Sequence, residues 1–194
     1  MRQLRIPSFL QDVFGEKQSV GSILTILLFG GILTAALYYR FPELANDLPA
    51  WRSALALLLI FDVFAGVIAN FTASTSDFYA ARKKNRIVFI AIHVHIVLIA
   101  LLLNTNIGYS LGIWVYTIIG AFIVNALIGK HLQLYTAGLL LSVGLGGMPM
   151  LPGITPYMLI IGLLFLMKVL FSFAVDHYGK TKHHTKEEGY EYHA

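Results

Sequence analysis

The sequence predicts an all-α fold: a polytopic integral membrane helical bundle with six transmembrane helices and an N-terminal amphipathic helix at the interface. Hydrophobic residues make up 57% of the 194 residues and charged residues only 12%, whereas soluble domains carry about 25% charged residues. The apolar residues are concentrated in six runs, each near the roughly 20 residues that a spanning helix needs. The charges lie between the runs, so the net charge of +4 reports membrane orientation and not nucleic-acid binding.

The N-terminal residues form the first predicted element, an amphipathic helix lying on the membrane surface. Between Arg2 and Lys17, apolar residues recur at the spacing that places them on one helix face: Ile6, Phe9, Leu10, Val13 and Phe14. Pro7 suits the first turn of such a helix. A signal peptide is the competing interpretation, but the long apolar run begins only at Val20 and no small-residue cleavage site is evident before the next apolar run follows.

Six apolar runs follow, and each is interpreted as a transmembrane helix. Their predicted limits are residues 20–39, 52–73, 87–104, 109–128, 132–148 and 156–175. The chain is then divided into three parts: an interfacial segment (1–18), a six-helix transmembrane domain (19–177) and a polar C-terminal tail (178–194). The histidines of the tail leave a weak metal affinity open beside the simpler interpretation of a solvated extension.

The distribution of lysine and arginine predicts the orientation. With the N-terminus inside, eleven of the fourteen Lys and Arg residues lie on the cytoplasmic side, as the positive-inside bias requires. The fifth run is short and rich in glycine, which also suits a re-entrant segment, but that alternative moves the basic tail outside. We therefore expect six spans, with both termini cytoplasmic, in the cytoplasmic membrane of a bacterium.

Polar and ionisable residues interrupt the apolar runs at similar depths. Asp62 lies near the middle of the second run, His93 and His95 lie in the third, and Lys168 lies in the sixth. At a rise of about 1.5 Å per residue, these groups fall in one layer near the membrane midplane. Asn70 lies on the same helix face as Asp62, closer to the cytoplasm. An ionisable residue at a helix centre costs on the order of 3 kcal/mol to insert, so such residues usually face the bundle interior and pair.

Asp62 is the only acidic residue deep in any run, so its partner decides the interpretation. The candidates are Lys168 and a protonated His93 or His95. Two structural alternatives stand beside a functional site. Lys168 is near enough to the inner boundary for its long side chain to reach the headgroups, and a paired or neutral Asp62 can simply hold helices together.

The two histidines do not form an obvious metal site. In a regular helix residues 93 and 95 lie about 200° apart, so only one of them can face Asp62, and paired helical ligands normally have the spacing i, i+3 or i+4. A metal site built from Asp62, one histidine and a group on another helix stays open. Haem held with His131 or His177 is disfavoured by their different depths. The chain has no cysteine, which excludes thiolate sites and disulfides.

These residues favour a transporter or a channel-like protein for a small solute or ion. The candidate solute- or ion-binding residues are Asp62, Asn70, His93, His95 and Lys168. Asp62 is the expected proton or cation site, with a histidine relaying protons. Two other classes stay open: an intramembrane enzyme or metal- or haem-binding redox subunit, and an accessory subunit of a larger membrane complex.

Motifs for nucleotide binding, serine nucleophiles and C-terminal prenylation are absent from the sequence. We therefore assign no catalytic residue, expect no cofactor, and favour an enzyme less than a transporter. The expected partners are the lipid bilayer and a small solute or ion, with no nucleic acid. A homo-oligomer and a subunit of a membrane complex both stay open.

Overall fold

The structure, a computed structural model, describes residues 3–46 and 48–179. The fold is all-helical, with 78% helix and 3% strand, as predicted. The helices are α1 (Gln11–Phe14), α2 (Val20–Arg40), α3 (Ala50–Asn70), α4 (Ala73–Ala80), α5 (Lys83–Ile92), α6 (His95–Leu103), α7 (Ile107–Ala126), α8 (Leu132–Gly147) and α9 (Pro156–Leu166). Helix α9 continues into a π-helical segment, Met167–Phe173. The predicted tail, 178–194, lies outside the described residues from residue 180 onward.

Five helices are long and apolar enough to cross a membrane: α2, α3, α5 continued by α6 (Lys83–Leu103), α7, and α9 continued by the π-helical segment (Pro156–Phe173). They correspond to the first, second, third, fourth and sixth predicted spans. The fifth predicted span, 132–148, corresponds to α8, which has 16 residues. At about 1.5 Å per residue it is shorter than the hydrocarbon core of about 30 Å, although a 3-10 turn, Met148–Met150, extends it.

The N-terminal amphipathic helix is not formed, and that prediction is wrong. Residues Gln3–Arg5 (β1) and Lys17–Ser19 (β2) pair as antiparallel strands, and within this segment only Gln11–Phe14 is α-helical. Pro7 has no backbone donor and disfavours helical geometry in the residue before it, which keeps the chain extended there. Gly15 ends α1 with a φ of 71°, and a side chain at this position would overlap Ser74 of α4.

Helix α3 is the centre of the bundle. It contacts α2, α6, α9 and the π-helical segment. Its side chains Ile60 and Phe64 are fully buried, as are Phe165 and Leu166 of α9. Since α3 is surrounded on several sides, most residues from Val63 to Asn70 are buried.

The third predicted span is broken in its middle. Helix α5 ends at Ile92 and α6 begins at His95, while His93 and Val94 between them take ψ values of 75° and 8°. The break frees the carbonyl of His93, which accepts a hydrogen bond of 3.0 Å from Trp114 Nε1 on α7. A buried backbone carbonyl without a hydrogen bond costs about 1–3 kcal/mol, so Trp114 stabilises the break.

Arg86 is buried, although the sequence groups it with the exposed basic residues at the start of α5; its exposed fraction is 4%. Its Nε donates to Asn125 Oδ1 at 2.8 Å, and its Nη2 donates to the carbonyls of Phe173 and Ala174 at 2.9 and 3.0 Å. Gln133 Nε2 of α8 donates to the same Ala174 carbonyl at 3.1 Å. This polar cluster ties α5, α7 and α8 to the end of the π-helical segment.

His177 packs between two aromatic rings beyond the π-helical segment. Its ring centroid lies 5.1 Å from that of Phe71 and 5.6 Å from that of Phe171. Its Nε2 donates to the Phe171 carbonyl at 3.2 Å. Burial lowers the pKa of His177 below the ordinary value of histidine.

The lowered pKa predicts a pH dependence of stability. As the pH falls below about 6.5, the ordinary histidine pKa, the unfolded chain binds a proton at residue 177 while the folded chain does not. The free energy of unfolding therefore decreases with falling pH. His177→Gln should flatten this decrease between about pH 6.5 and 5, measured as thermal unfolding in detergent. His131→Gln, at an exposed position, is the control, and a pH profile unchanged by His177→Gln would contradict the prediction.

Candidate functional site

An ion pair joins α3 to the π-helical segment. Lys168 Nζ lies 2.6 Å from Asp62 Oδ2 and also donates to the Asp62 backbone carbonyl at 3.2 Å. Lys168 is only 3% exposed, so its side chain does not extend to a surface. Of the partners that the sequence leaves open for Asp62, Lys168 makes the shortest contact.

His95 is the second partner of Asp62. Its Nε2 lies 3.3 Å from Asp62 Oδ2, while its Nδ1 is buried and has no hydrogen-bond partner among the described residues. A doubly protonated ring would bury an unpaired N–H at Nδ1, which is costly. The geometry therefore favours a neutral His95 with its proton on Nε2. The charges of Asp62 and Lys168 then cancel.

The ring of His93 lies close to that of His95, with 5.1 Å between the centroids. His93 Nδ1 contacts the Phe89 carbonyl; because a carbonyl only accepts, the proton lies on Nδ1 and Nε2 keeps a free lone pair. The prediction that only one of the two histidines can face Asp62 assumes a regular helix, which the break between α5 and α6 interrupts. Of the two, His95 is the one that contacts the Asp62 carboxylate, at 3.3 Å.

Asn70 contacts the backbone of Lys168 rather than its charge. Asn70 is 4% exposed, and its Nδ2 donates to the Lys168 carbonyl at 3.2 Å. The same carbonyl accepts a hydrogen bond of 2.9 Å from Ser172 Oγ. These two contacts fix the backbone from which the Lys168 side chain reaches Asp62, so Asn70 is a positioning residue.

Gly66 lies one turn after Asp62 and makes room for the lysine. A Cβ at this position would overlap Lys168 Cε and lie 2.8 Å from Nζ. The Lys168 side chain thus crosses α3 over Gly66 to reach the carboxylate. Glycine is required here by the close approach of a side chain and not by a special backbone angle.

Gly66→Ala is therefore expected to displace the Lys168 amine and weaken the ion pair. Overpacking of this kind typically costs about 1–3 kcal/mol, whereas Gly→Ala in an open helical position is usually stabilising by up to about 1 kcal/mol. Gly31→Ala in α2 is the matched control, because a Cβ there meets no atom within 4 Å. Thermal unfolding of both variants checks this; equal melting temperatures would contradict it.

A cavity of about 390 Å³ lies beside the ion pair. It is lined by all the sequence-predicted site residues, which are Asp62, Asn70, His93, His95 and Lys168. The remaining walls are partly apolar, from Val88, Phe89 and Ile92 of α5, and partly polar. The structure thus brings the predicted residues of three spans together around one space.

Strands β1 and β2 and the residues between them (3–19) form an N-terminal hairpin. Its residues Asp12 and Val13 line the cavity. Tyr79 OH donates to the Asp12 carbonyl and Thr75 Oγ1 to the Val13 carbonyl, each at 3.0 Å. Burial raises the pKa of Tyr79 above its ordinary value, which keeps its hydroxyl a donor. The sequence gives no signal for this contact, because the residues lie about sixty positions apart on segments with no shared pattern.

The charges around Asp62 do not resemble a metal centre. Within residues 3–46 and 48–179, no group of three or more His, Cys, Asp and Glu residues is arranged to hold a metal ion. The cation nearest to Asp62 is the Lys168 ammonium itself. A divalent metal at the carboxylate would have to displace this ammonium or lie beside it.

Family models, curated protein sequences and solved structures contain no match to this chain. The function is therefore inferred from the chemistry of the site.

Proposed function

We propose that the chain is a six-span integral membrane protein of the bacterial cytoplasmic membrane, with both termini cytoplasmic. We further propose that it moves a small solute or ion through a proton-titratable site at Asp62. Five helices that are long and apolar enough to cross a membrane support the proposal of an integral membrane protein. The sixth span is α8 with the turn that extends it, and the basic residues at the inner helix ends support the orientation.

The exposed fraction of the Asp62 side chain is the observation that carries the transport proposal. That side chain is 41% exposed, whereas the Lys168 side chain paired with it is 4% exposed. Asp62 lines the cavity, so the carboxylate is open on one side. An ion pair that only held two helices together would gain nothing from such an opening, since exposure to water weakens the attraction. Proton exchange at Asp62 requires such an opening.

The histidines provide the route by which a proton reaches Asp62. His93 Nε2 accepts a proton from the cavity and transfers it to the Nδ1 lone pair of His95, whose ring centroid lies 5.1 Å away. His95 releases its Nε2 proton to Asp62 Oδ2, 3.3 Å away, so that it is neutral before and after the step. Protonation of Asp62 removes the negative charge that holds Lys168. The ammonium is then free to contact a solute, and the return of the proton to solution restores the pair.

Proton flux into proteoliposomes tests this function. With a pH-sensitive dye inside the vesicles and an inwardly directed pH gradient, the wild-type protein should acidify the lumen, and Asp62→Asn should abolish the flux. Glu16→Gln is the matched control, because it removes an acid that pairs with Arg82 at 2.7 Å outside this cavity. Flux equal to that of empty vesicles, or flux unchanged in a folded Asp62→Asn protein, would contradict the proposal.

A further inference from the structure

We infer that the solute is a small monocarboxylate, which binds at Lys168 while a proton binds at Asp62. This inference rests on the proposed function and names the substrate class of the same site. It follows from the charges around the cavity, from the donors that are free there, and from the character of its walls.

The charge balance of the site requires that a proton and a monoanion enter together. The titratable and charged groups around the cavity, among the described residues, are Asp62, Lys168, His93, His95, Asp12 and Tyr79. Asp12 is exposed, so water screens its charge. The deep groups sum to zero when Asp62 is ionised, Lys168 is charged and both histidines are neutral. A proton alone leaves the site with one positive charge, whereas a proton and a monoanion together leave it neutral.

The positive charge that a proton would expose is deeply buried. Lys168 is 3% exposed, and a buried ammonium without a counter-ion is strongly disfavoured. A carboxylate that enters the cavity replaces Asp62 as the counter-ion. A cationic solute would add a second positive charge beside Lys168 and is excluded by the same reasoning.

Two donors at the cavity suit a carboxylate. An ammonium has three N–H groups, and Lys168 uses two of them on Asp62. Asn85 of α5, a residue with an amide side chain, also lines the cavity. A carboxylate has two oxygens that accept hydrogen bonds from such donors.

The remaining walls favour an apolar tail on the acid. Val88, Phe89 and Ile92 from α5 and Ala69 from α3 line the cavity. Its volume of about 390 Å³ is at the small end of the range for ligand pockets. A short-chain fatty acid anion such as butyrate combines a carboxylate with a short apolar tail.

In the coupled step, a proton from solution forms an O–H bond at the Asp62 carboxylate, and Lys168 keeps its own protons. The Asp62–Lys168 ion pair breaks, and a new ion pair forms between Lys168 and the solute carboxylate. Release on the other side reverses both events, so one proton and one monoanion move together without net charge.

Butyrate binding to the detergent-purified, full-length protein tests the inference by calorimetry. Titrations in two buffers of different ionisation enthalpy count the protons taken up, and we expect about one per butyrate bound. Above the pH at which Asp62 ionises, the affinity should fall about tenfold per pH unit. Butylammonium and butyramide should not bind. Chloride separates an inorganic monoanion from a carboxylate, and chloride binding as tight as butyrate binding would overturn the carboxylate assignment.

Three variants sharpen the test. Asp62→Asn imitates the protonated carboxyl, so it should bind butyrate with no proton uptake and no pH dependence. Lys168→Met should lose binding, while Lys84→Met, at an exposed position of α5, should keep it. If the site variants do not fold, the proton count and pH dependence of the wild-type protein decide alone.

No butyrate binding at any pH, or binding without proton uptake by the wild-type protein, would overturn the inference. If proton flux that depends on Asp62 persists in that case, the proposed function stands and only the substrate class is wrong. Absence of both flux and binding overturns the two together.

Discussion

Asp62→Asn is expected to destabilise the protein more than Lys168→Met does, although both remove the same ion pair. Losing one partner of a buried pair costs about 3–5 kcal/mol, mostly because the other charge is left uncompensated. Asp62→Asn leaves a lysine that is 3% exposed, so its cost should lie at the upper end. Lys168→Met leaves a carboxylate whose side chain is 41% exposed, so solvent reduces the cost to about 3 kcal/mol or less.

The double variant Asp62→Asn/Lys168→Met completes the cycle and should recover part of the loss, since no charge is then left unpaired. Unfolding of each variant in detergent measures the free energies. Glu16→Gln/Arg82→Met, which removes an exposed pair, is the matched control and should change stability by about 1 kcal/mol at most. Additive losses at residues 62 and 168, or a larger loss from Lys168→Met, would show that the pair is not asymmetrically buried.

Arg86→Met is the second substitution with a large expected effect. The guanidinium satisfies Asn125 and two carbonyls at the end of the π-helical segment, where the last carbonyls of a helix have no backbone partners. Its removal leaves buried acceptors unsatisfied, at a cost of about 1–3 kcal/mol for each fully buried group. We expect a total loss of about 3 kcal/mol or more, together with faster hydrogen exchange over residues 171–175.

Arg86→Lys should recover only part of the loss, because an ammonium lacks the planar fork that reaches several acceptors at once. Lys84→Met, two positions earlier and exposed, is the matched control and should unfold like the wild-type protein. If Arg86→Met also unfolds like the wild-type protein, the hydrogen-bond cluster does not stabilise this end of the bundle.

The helices and the ion pair could be predicted because both depend on the cost of placing polar groups in hydrocarbon. The limits predicted from the apolar runs agree to within a few residues with those of the five helices that are long enough to cross a membrane. Asp62 and Lys168 stand out as isolated charges in such runs, and the same cost makes Lys168 one of the three partners expected for Asp62. The geometry of the contact, with Lys168 crossing α3 over Gly66, depends on tertiary packing that no local pattern records.

Arg86 shows where the reasoning from local pattern fails. In the sequence it follows Arg82, Lys83 and Lys84, and a run of basic residues normally marks a surface. The structure separates Arg86 from the others because its acceptors lie on α7 and beyond α9, nearly forty and ninety positions away. No sequence signal near Arg86 predicts those acceptors.

The break between α5 and α6 could not be predicted either. Neither proline nor glycine lies between Ile92 and His95, so the usual signals of a kink are absent. The break depends on Trp114, which lies on another helix and donates a hydrogen bond to the freed carbonyl. The N-terminal hairpin, in contrast, has signals in the sequence, which are Pro7 and Gly15. Their effect on the backbone outweighs the apolar spacing that favoured a helix.

The central claim is that the Asp62 carboxylate exchanges a proton with the cavity in the folded protein. Infrared difference spectroscopy of the wild-type protein and Asp62→Asn, recorded between acidic and neutral pH, measures this most directly. We expect a carbonyl band of a protonated carboxylic acid that appears reversibly in the wild-type spectrum and is missing from that of Asp62→Asn. A band that is the same in both proteins, or no such band over the pH range in which the wild-type protein stays folded, would contradict the claim.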